Sequence, residues 1–168
     1  MLTSTVVLTL LFVSACWDWR RRKVPNGLLI PTIVGGTIFQ IAKGDGLTAL
    51  FGVGTAFLLT LFPVLLKGMG MGDQKLLIAA GVWLPVSELY SLFLQSICVG
   101  LLFTLCIPHK WQQLKENLHA VAVSWVAHRH VWIPAREQSA QTLPYAVCLF
   151  IAYLFQLLAE GWHTWGTS

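Results

Sequence analysis

Long apolar runs separated by short polar breaks constrain this chain more than any other feature. The runs cover residues 1–17, 27–42, 47–66, 75–107 (broken near Pro85) and 143–159. A helix that crosses a bilayer needs roughly 20 mainly apolar residues, so the chain has room for about six spans. The pattern predicts an all-α fold, a polytopic membrane helix bundle that forms a single domain over residues 1–168.

Composition excludes the main soluble alternatives. Hydrophobic residues make up 56% of the 168 residues and charged residues 11%, whereas soluble domains carry roughly 25% charge. An ordinary soluble enzyme, a disordered chain and a basic nucleic-acid-binding domain do not fit these values. The expected partner is therefore the lipid bilayer and not a nucleic acid. The four cysteines form no CxxC pair, so we expect no metal site and no cofactor.

The positive charges predict the orientation of the bundle. The cluster Arg20-Arg21-Arg22-Lys23 follows the first run, whereas a signal peptide carries its positive charges before the apolar core. If the runs cross alternately, ten of the eleven Lys and Arg residues lie in cytoplasmic loops and Lys43 alone lies outside. This positive-inside pattern predicts six spans in an inner membrane, with both termini outside.

A polar segment, residues 108–142, separates the fifth and sixth spans. Its apolar residues recur at steps of three and four, as they do on one face of a helix; they are Trp111, Leu114, Leu118, Val121 and Trp125. This spacing predicts a helix that lies on the cytoplasmic membrane surface. The alternative is a docking surface for a substrate or a partner.

Two of the seven acidic residues, Asp18 and Asp73, end spans at the predicted cytoplasmic face. The first span is short. Residues 75–108 must cross the membrane twice if both of their ends are cytoplasmic, and they are also short, because they cover roughly 50 Å as helix, whereas two crossings need roughly 60 Å. We therefore expect both carboxylates slightly below the membrane surface. Alone, each aspartate is typical of a helix cap or an interfacial residue. As a close pair, they would share a proton, so that one activates water while the other protonates a leaving amine.

The glycines before Asp73 alternate as Gly68, Gly70 and Gly72. Alternation of this kind suits an extended backbone that another chain can approach closely. A substrate strand could pair with it through main-chain hydrogen bonds. A flexible loop is the other interpretation.

Three segments resemble the type IV prepilin peptidases. Residues 18–26 (DWRRRKVPN) resemble the family segment D-x-R-x-x-x-[IV]-P-N, residues 70–77 (GMGDQKLL) resemble G-x-G-D-x-K-L, and residues 143–146 (LPYA) resemble the start of the last family helix. The resemblance implies an intramembrane aspartyl protease of the GxGD type. Such an enzyme removes the short basic leader of a prepilin or pseudopilin at the cytoplasmic membrane face.

The resemblance assigns roles residue by residue. Asp18 and Asp73 match the two catalytic aspartates, and Gly70 and Gly72 match the glycines before the second one. The remaining matched positions imply motif support or substrate binding, with a turn expected at the first two of them: Pro25, Asn26, Arg20 and Lys75.

Long bacterial members carry a zinc-binding domain with two CxxC pairs, which this sequence lacks. We therefore expect no zinc or methyltransferase extension, and a short enzyme similar to those of tight-adherence (Flp) pilus systems. Two alternatives stay open at this point. One is a non-catalytic membrane subunit of a pilus or secretion assembly, and the other is a bifunctional peptidase and N-methyltransferase.

Overall fold

The structure is a computed structural model that describes residues 2–21, 24–66, 69–106 and 144–166, with side chains described up to Ala159. Every regular element in these ranges is a helix, which confirms the predicted all-α architecture. The helices are α1 (Leu2–Arg21), α2 (Asn26–Ala42), α3 (Gly46–Leu65), α4 (Met71–Gly81), α5 (Val86–Cys106) and α6 (Tyr145–Gly166). The predicted surface helix within residues 108–142 lies outside the described residues.

Helix α4 forms the centre of the bundle. It contacts each of the other five described helices, and its buried residues are Leu76, Leu77, Ala79, Ala80 and Gly81. The second half of α4, residues 76–81, is apolar on all sides and needs neighbours that cover it, whereas Met71 and Lys75 in the first half are exposed. With 11 residues, α4 is roughly 16 Å long, about half of the hydrocarbon thickness. Residues 75–108 are expected to be short for two crossings, and α4 is the helix in this region that is short.

The other five helices surround α4. Their contacts run from α2 to α3, from α3 to α5, from α5 to α6 and from α6 to α1. Helices α1 and α2 are consecutive in the chain, but a cleft of about 270 Å³ lies between them. The enclosure of α4 is thus most open between α1 and α2.

The turn that follows α4 is anchored to α2. The Gln40 side-chain amide donates to the Val82 carbonyl at 3.3 Å, and the Trp83 indole N–H donates to the Thr32 carbonyl at 3.1 Å. The Trp83 ring also stacks on Phe39 with centroids 5.5 Å apart. These contacts satisfy backbone carbonyls in a buried turn, where an unpaired polar group would be costly.

Three helices are long and apolar enough to cross a membrane by length and composition, namely Leu2–Arg21, Gly46–Leu65 and Val86–Cys106. Asn26–Ala42 and Tyr145–Ala159 are shorter apolar helices. Large apolar side chains cover the outer faces, as in Ile38, Phe62 and Leu102, each more than 60% exposed. These features are those of a membrane protein. The number of six crossings stays a prediction.

Helices α3 and α4 touch through their backbones at two glycines. A Cβ atom on Gly52 would overlap the carbonyl oxygen of Gly81, and a Cβ on Gly81 would lie 2.7 Å from the carbonyl oxygen of Gly52. Small residues of this kind let membrane helices approach closely and gain van der Waals contact. The position of α4 in the bundle depends on this contact.

We expect Gly52→Ala to lower the free energy of unfolding by about 1–3 kcal/mol, because the added methyl group pushes backbone against backbone. Gly54→Ala, in the same helix, is the matched control because nothing lies within 4 Å of a Cβ there. Reversible unfolding in mixed micelles measures both variants. Equal stability of the two variants would contradict the proposed packing.

Candidate active site

Asp18 lies in the last turns of α1 and points into the bundle. Its side chain is only 7% exposed, and its Oδ2 accepts a hydrogen bond from the backbone N–H of Ala146 at 3.3 Å. Ala146 is the second residue of α6, so its N–H has no acceptor within its own helix. A buried carboxylate and an orphan N–H, 128 residues apart in the chain, therefore satisfy each other.

Asp73 is the third residue of α4 and is partly buried. Its Oδ2 accepts a hydrogen bond from the backbone N–H of Gly70 at 3.3 Å. Gly70 is the N-cap of α4, in an extended conformation with φ −76° and ψ 147°. The side chain thus reaches back to the start of its own helix, as the acidic residue of a capping box does.

This geometry corrects the interpretation of the glycine segment as an extended strand. Gly70 is extended, but Gly72 lies in the first turn of α4, and Gly68 lies outside the described residues. The helix begins two residues before Asp73, because Gly70 can act as the N-cap without a capping side chain. Asp73 is correspondingly not the N-cap itself.

The two aspartates lie on neighbouring helices. Ala146 in the first turn of α6 binds Asp18, and Lys75, two residues after Asp73, binds Asn26 at the start of α2. Helices α1 and α4 both pack against α6 and against each other. Each carboxylate also lies at the N-terminus of a helix, where the helix dipole favours negative charge.

A buried hydroxyl pair fixes the position of this turn. The hydroxyl oxygens of Tyr145 and Ser96 are 2.7 Å apart, and the Ser96 hydroxyl donates to the Phe93 carbonyl at 2.7 Å. Because Ser96 has one hydroxyl proton, Tyr145 is the donor in the pair. The bond attaches the start of α6 to α5. Ser96 lies in an apolar run and carries no motif, so sequence reasoning missed it.

The supporting motif residues occupy two different places. Pro25 is the N-cap of α2, and the side-chain oxygen of Asn26 accepts a hydrogen bond from the Lys75 ammonium group at 3.4 Å. This bond joins the two motif segments at the molecular surface. Arg20 is exposed and lines a groove between α1 and α6 whose lining contains neither aspartate.

The chain matches a model of a known protein family. A family described as the type IV leader peptidase family matches residues 5–105, more than half of the chain. The chain belongs to this family. Separate searches of the curated proteins and of the solved structures find no significant match.

Membership in the type IV leader peptidase family confirms the resemblance read from the motifs and makes a peptidase the supported class of protein. The matched region includes Asp18, Asp73 and almost all of α5. It ends before α6, whose first turn contributes Ala146 and Tyr145 to the site. Both residues belong to the segment 143–146, whose resemblance to the start of the last family helix is visible in the sequence, and the structure adds the hydrogen bond to Asp18.

We expect Tyr145→Phe to lower the free energy of unfolding by about 1 kcal/mol, because it removes the donor to Ser96. A double-mutant cycle with Ser96→Ala isolates the pair. Tyr90→Phe is the control, since Tyr90 lies on α5 with its side chain exposed. Strictly additive effects of Tyr145→Phe and Ser96→Ala would contradict the bond.

Proposed function

We propose that the protein is an intramembrane aspartyl endopeptidase that cleaves the basic leader from type IV prepilins or pseudopilins at the cytoplasmic membrane face. One observation carries the proposal. The two helices that carry the motif aspartates, α1 and α4, pack against each other and against α6. Asp18 binds the first turn of α6, and Lys75, two residues after Asp73, binds Asn26 at the start of α2.

The proposed mechanism uses the carboxylates as a coupled acid and base. One carboxylate removes a proton from water, and the resulting hydroxide attacks the scissile carbonyl carbon. The other carboxyl group protonates the nitrogen as the peptide bond breaks. Because the two groups titrate as a pair, the proton belongs to the dyad and not to one named residue.

The surroundings of the dyad support this chemistry. Two like charges at close range repel strongly away from water. Here the Ala146 and Gly70 N–H groups each donate to one carboxylate, and these donors offset part of the repulsion. Partial burial also limits access of bulk water, which leaves few competing hydrogen bonds at the reacting groups.

The cleft between α1 and α2 is the proposed path for the apolar helix of the substrate. It begins near the site, with Val13 and Leu28 in its lining, and continues along α1 to Thr5. The Thr9 and Thr32 hydroxyls donate to carbonyls of their own helices at 2.8 Å. The walls of the cleft are therefore apolar, as a hydrophobic helix requires.

We expect Asp18→Asn and Asp73→Asn each to reduce prepilin cleavage by about a hundredfold or more, because each removes an acid–base group. Asparagine keeps a side-chain oxygen that can accept the same backbone N–H, so the fold should persist. Co-expression with a candidate prepilin and a gel mobility shift measures cleavage.

Asp45→Asn is the matched control for both variants, because Asp45 is exposed in the connection between α2 and α3. It should cleave as the unmodified protein does. If the protein were a non-catalytic assembly subunit, none of the three substitutions would change the amount of prepilin cleaved. Cleavage that survives either active-site substitution would overturn the mechanism.

We expect Thr9→Trp to slow cleavage by roughly tenfold to a hundredfold, because it narrows the cleft and displaces the substrate helix from the dyad. Ile38→Trp adds a similar volume on the exposed face of α2 and serves as the control. Initial cleavage rates in proteoliposomes compare the two. Equal rates would show that the substrate enters elsewhere.

A further inference from the structure

A second groove lies on the other side of α1, between α1 and α6. It encloses about 690 Å³. Its walls are apolar, and aromatic and basic side chains lie at one end. The lining consists of Phe12, Val13, Ala15, Cys16, Trp17, Trp19, Arg20, Arg21, Val147 and Phe150.

The basic end of the groove carries two positive charges and no carboxylate in its lining. The Arg21 guanidinium lies 5.4 Å from the centroid of the Trp17 ring, within the range of a cation–π contact. Arg20 and Trp19 are exposed. The end of the groove is thus a rigid, cationic surface beside aromatic rings.

The whole groove, with its basic end, runs along α1 from Phe12 to Arg21, a length of about 14 Å. The rings of Phe12 and Phe150 line the groove at the end away from the arginines, with centroids 5.5 Å apart. A groove of this length accepts a large part of one fatty-acyl chain. Tryptophan side chains are typical of the headgroup level of a membrane.

We propose that this groove binds one anionic phospholipid, with its phosphate at Arg20 and Arg21 and an acyl chain along Phe12 and Val147. Charge decides the occupant, since basic pockets between membrane helices favour anionic headgroups. The proposal does not depend on the proposed peptidase mechanism.

The site gives Arg20 a physical role. Residues two positions apart on a helix point to different faces, so Asp18 faces the bundle while Arg20 faces the groove. A lipid bound there contacts both α1 and α6. These are the helices that carry Asp18 and the N–H group of Ala146.

Native mass spectrometry tests the proposal on the full chain in mild detergent, with equal amounts of phosphatidylglycerol and phosphatidylcholine that carry identical acyl chains. We expect one phosphatidylglycerol to be retained at least about tenfold more strongly, since each basic residue contributes to anionic lipid binding. The double variant Arg20→Gln/Arg21→Gln should lose this preference.

Lys43→Gln is the matched charge control. Lys43 also lies over an aromatic ring, 4.8 Å from the Phe39 centroid, but it is not part of the groove. It should retain the preference. Equal retention of both lipids by the unmodified protein, or an equal loss of preference in Lys43→Gln, would overturn the proposal.

A third variant tests the groove itself. Cys16→Trp fills the apolar part and leaves both arginines in place, so retention of either lipid should fall. Its melting temperature establishes that the variant is folded.

Unchanged lipid retention by Cys16→Trp would show that lipid binds at the surface only. Displacement of the lipid by free glycerol phosphate would show a simple anion site. If the unmodified protein retained a synthetic transmembrane peptide but no lipid, and Cys16→Trp lost that peptide, the groove would be a peptide site. Each of these results contradicts the proposal.

Discussion

The enclosure of α4 is the constraint on which the rest of the structure depends. An 11-residue helix is too short to cross a bilayer alone, and its apolar half, residues 76–81, must be covered by other helices. Five longer helices provide this cover, and the Gly52–Gly81 contact lets α3 approach most closely. Because α4 is short and central, the helices around it keep Asp73 partly buried in its first turn, while Met71 and Lys75 stay exposed.

Helix N-termini explain how two acidic side chains are tolerated at this place. An N-terminus offers N–H groups that have no acceptor in their own helix, and a carboxylate offers acceptors that need donors. Asp73 uses the start of its own helix, whereas Asp18 uses the start of α6. Each carboxylate therefore accepts a hydrogen bond from the start of a helix, Asp73 from its own helix and Asp18 from a helix that is distant in sequence. The hydrogen bond between Tyr145 and Ser96 keeps the second arrangement in position.

Most of the architecture could be predicted from sequence, because apolar runs and charge clusters report directly on burial in lipid. The family was accessible because residues 18–26 and 70–77 match its motifs, and the two aspartates stood out because Asp18 and Asp73 are charges at the edges of apolar runs. Their catalytic role stays a prediction. The interpretation of Gly72 as extended was wrong, since a glycine pattern does not say where a helix begins. Ser96 could not be found, because its partner is 49 residues away in sequence and nothing local marks it.

The bond between Asp18 and Ala146 has a consequence for biosynthesis. Helix α1, which carries Asp18, is translated before α6, which carries the donor Ala146. The earlier helices can enter the bilayer and assemble around α4 while Asp18 still lacks this donor. A nascent chain therefore lacks the bond between Asp18 and Ala146 until α6 has been translated and inserted, so that this part of the bundle forms only after α6 joins it.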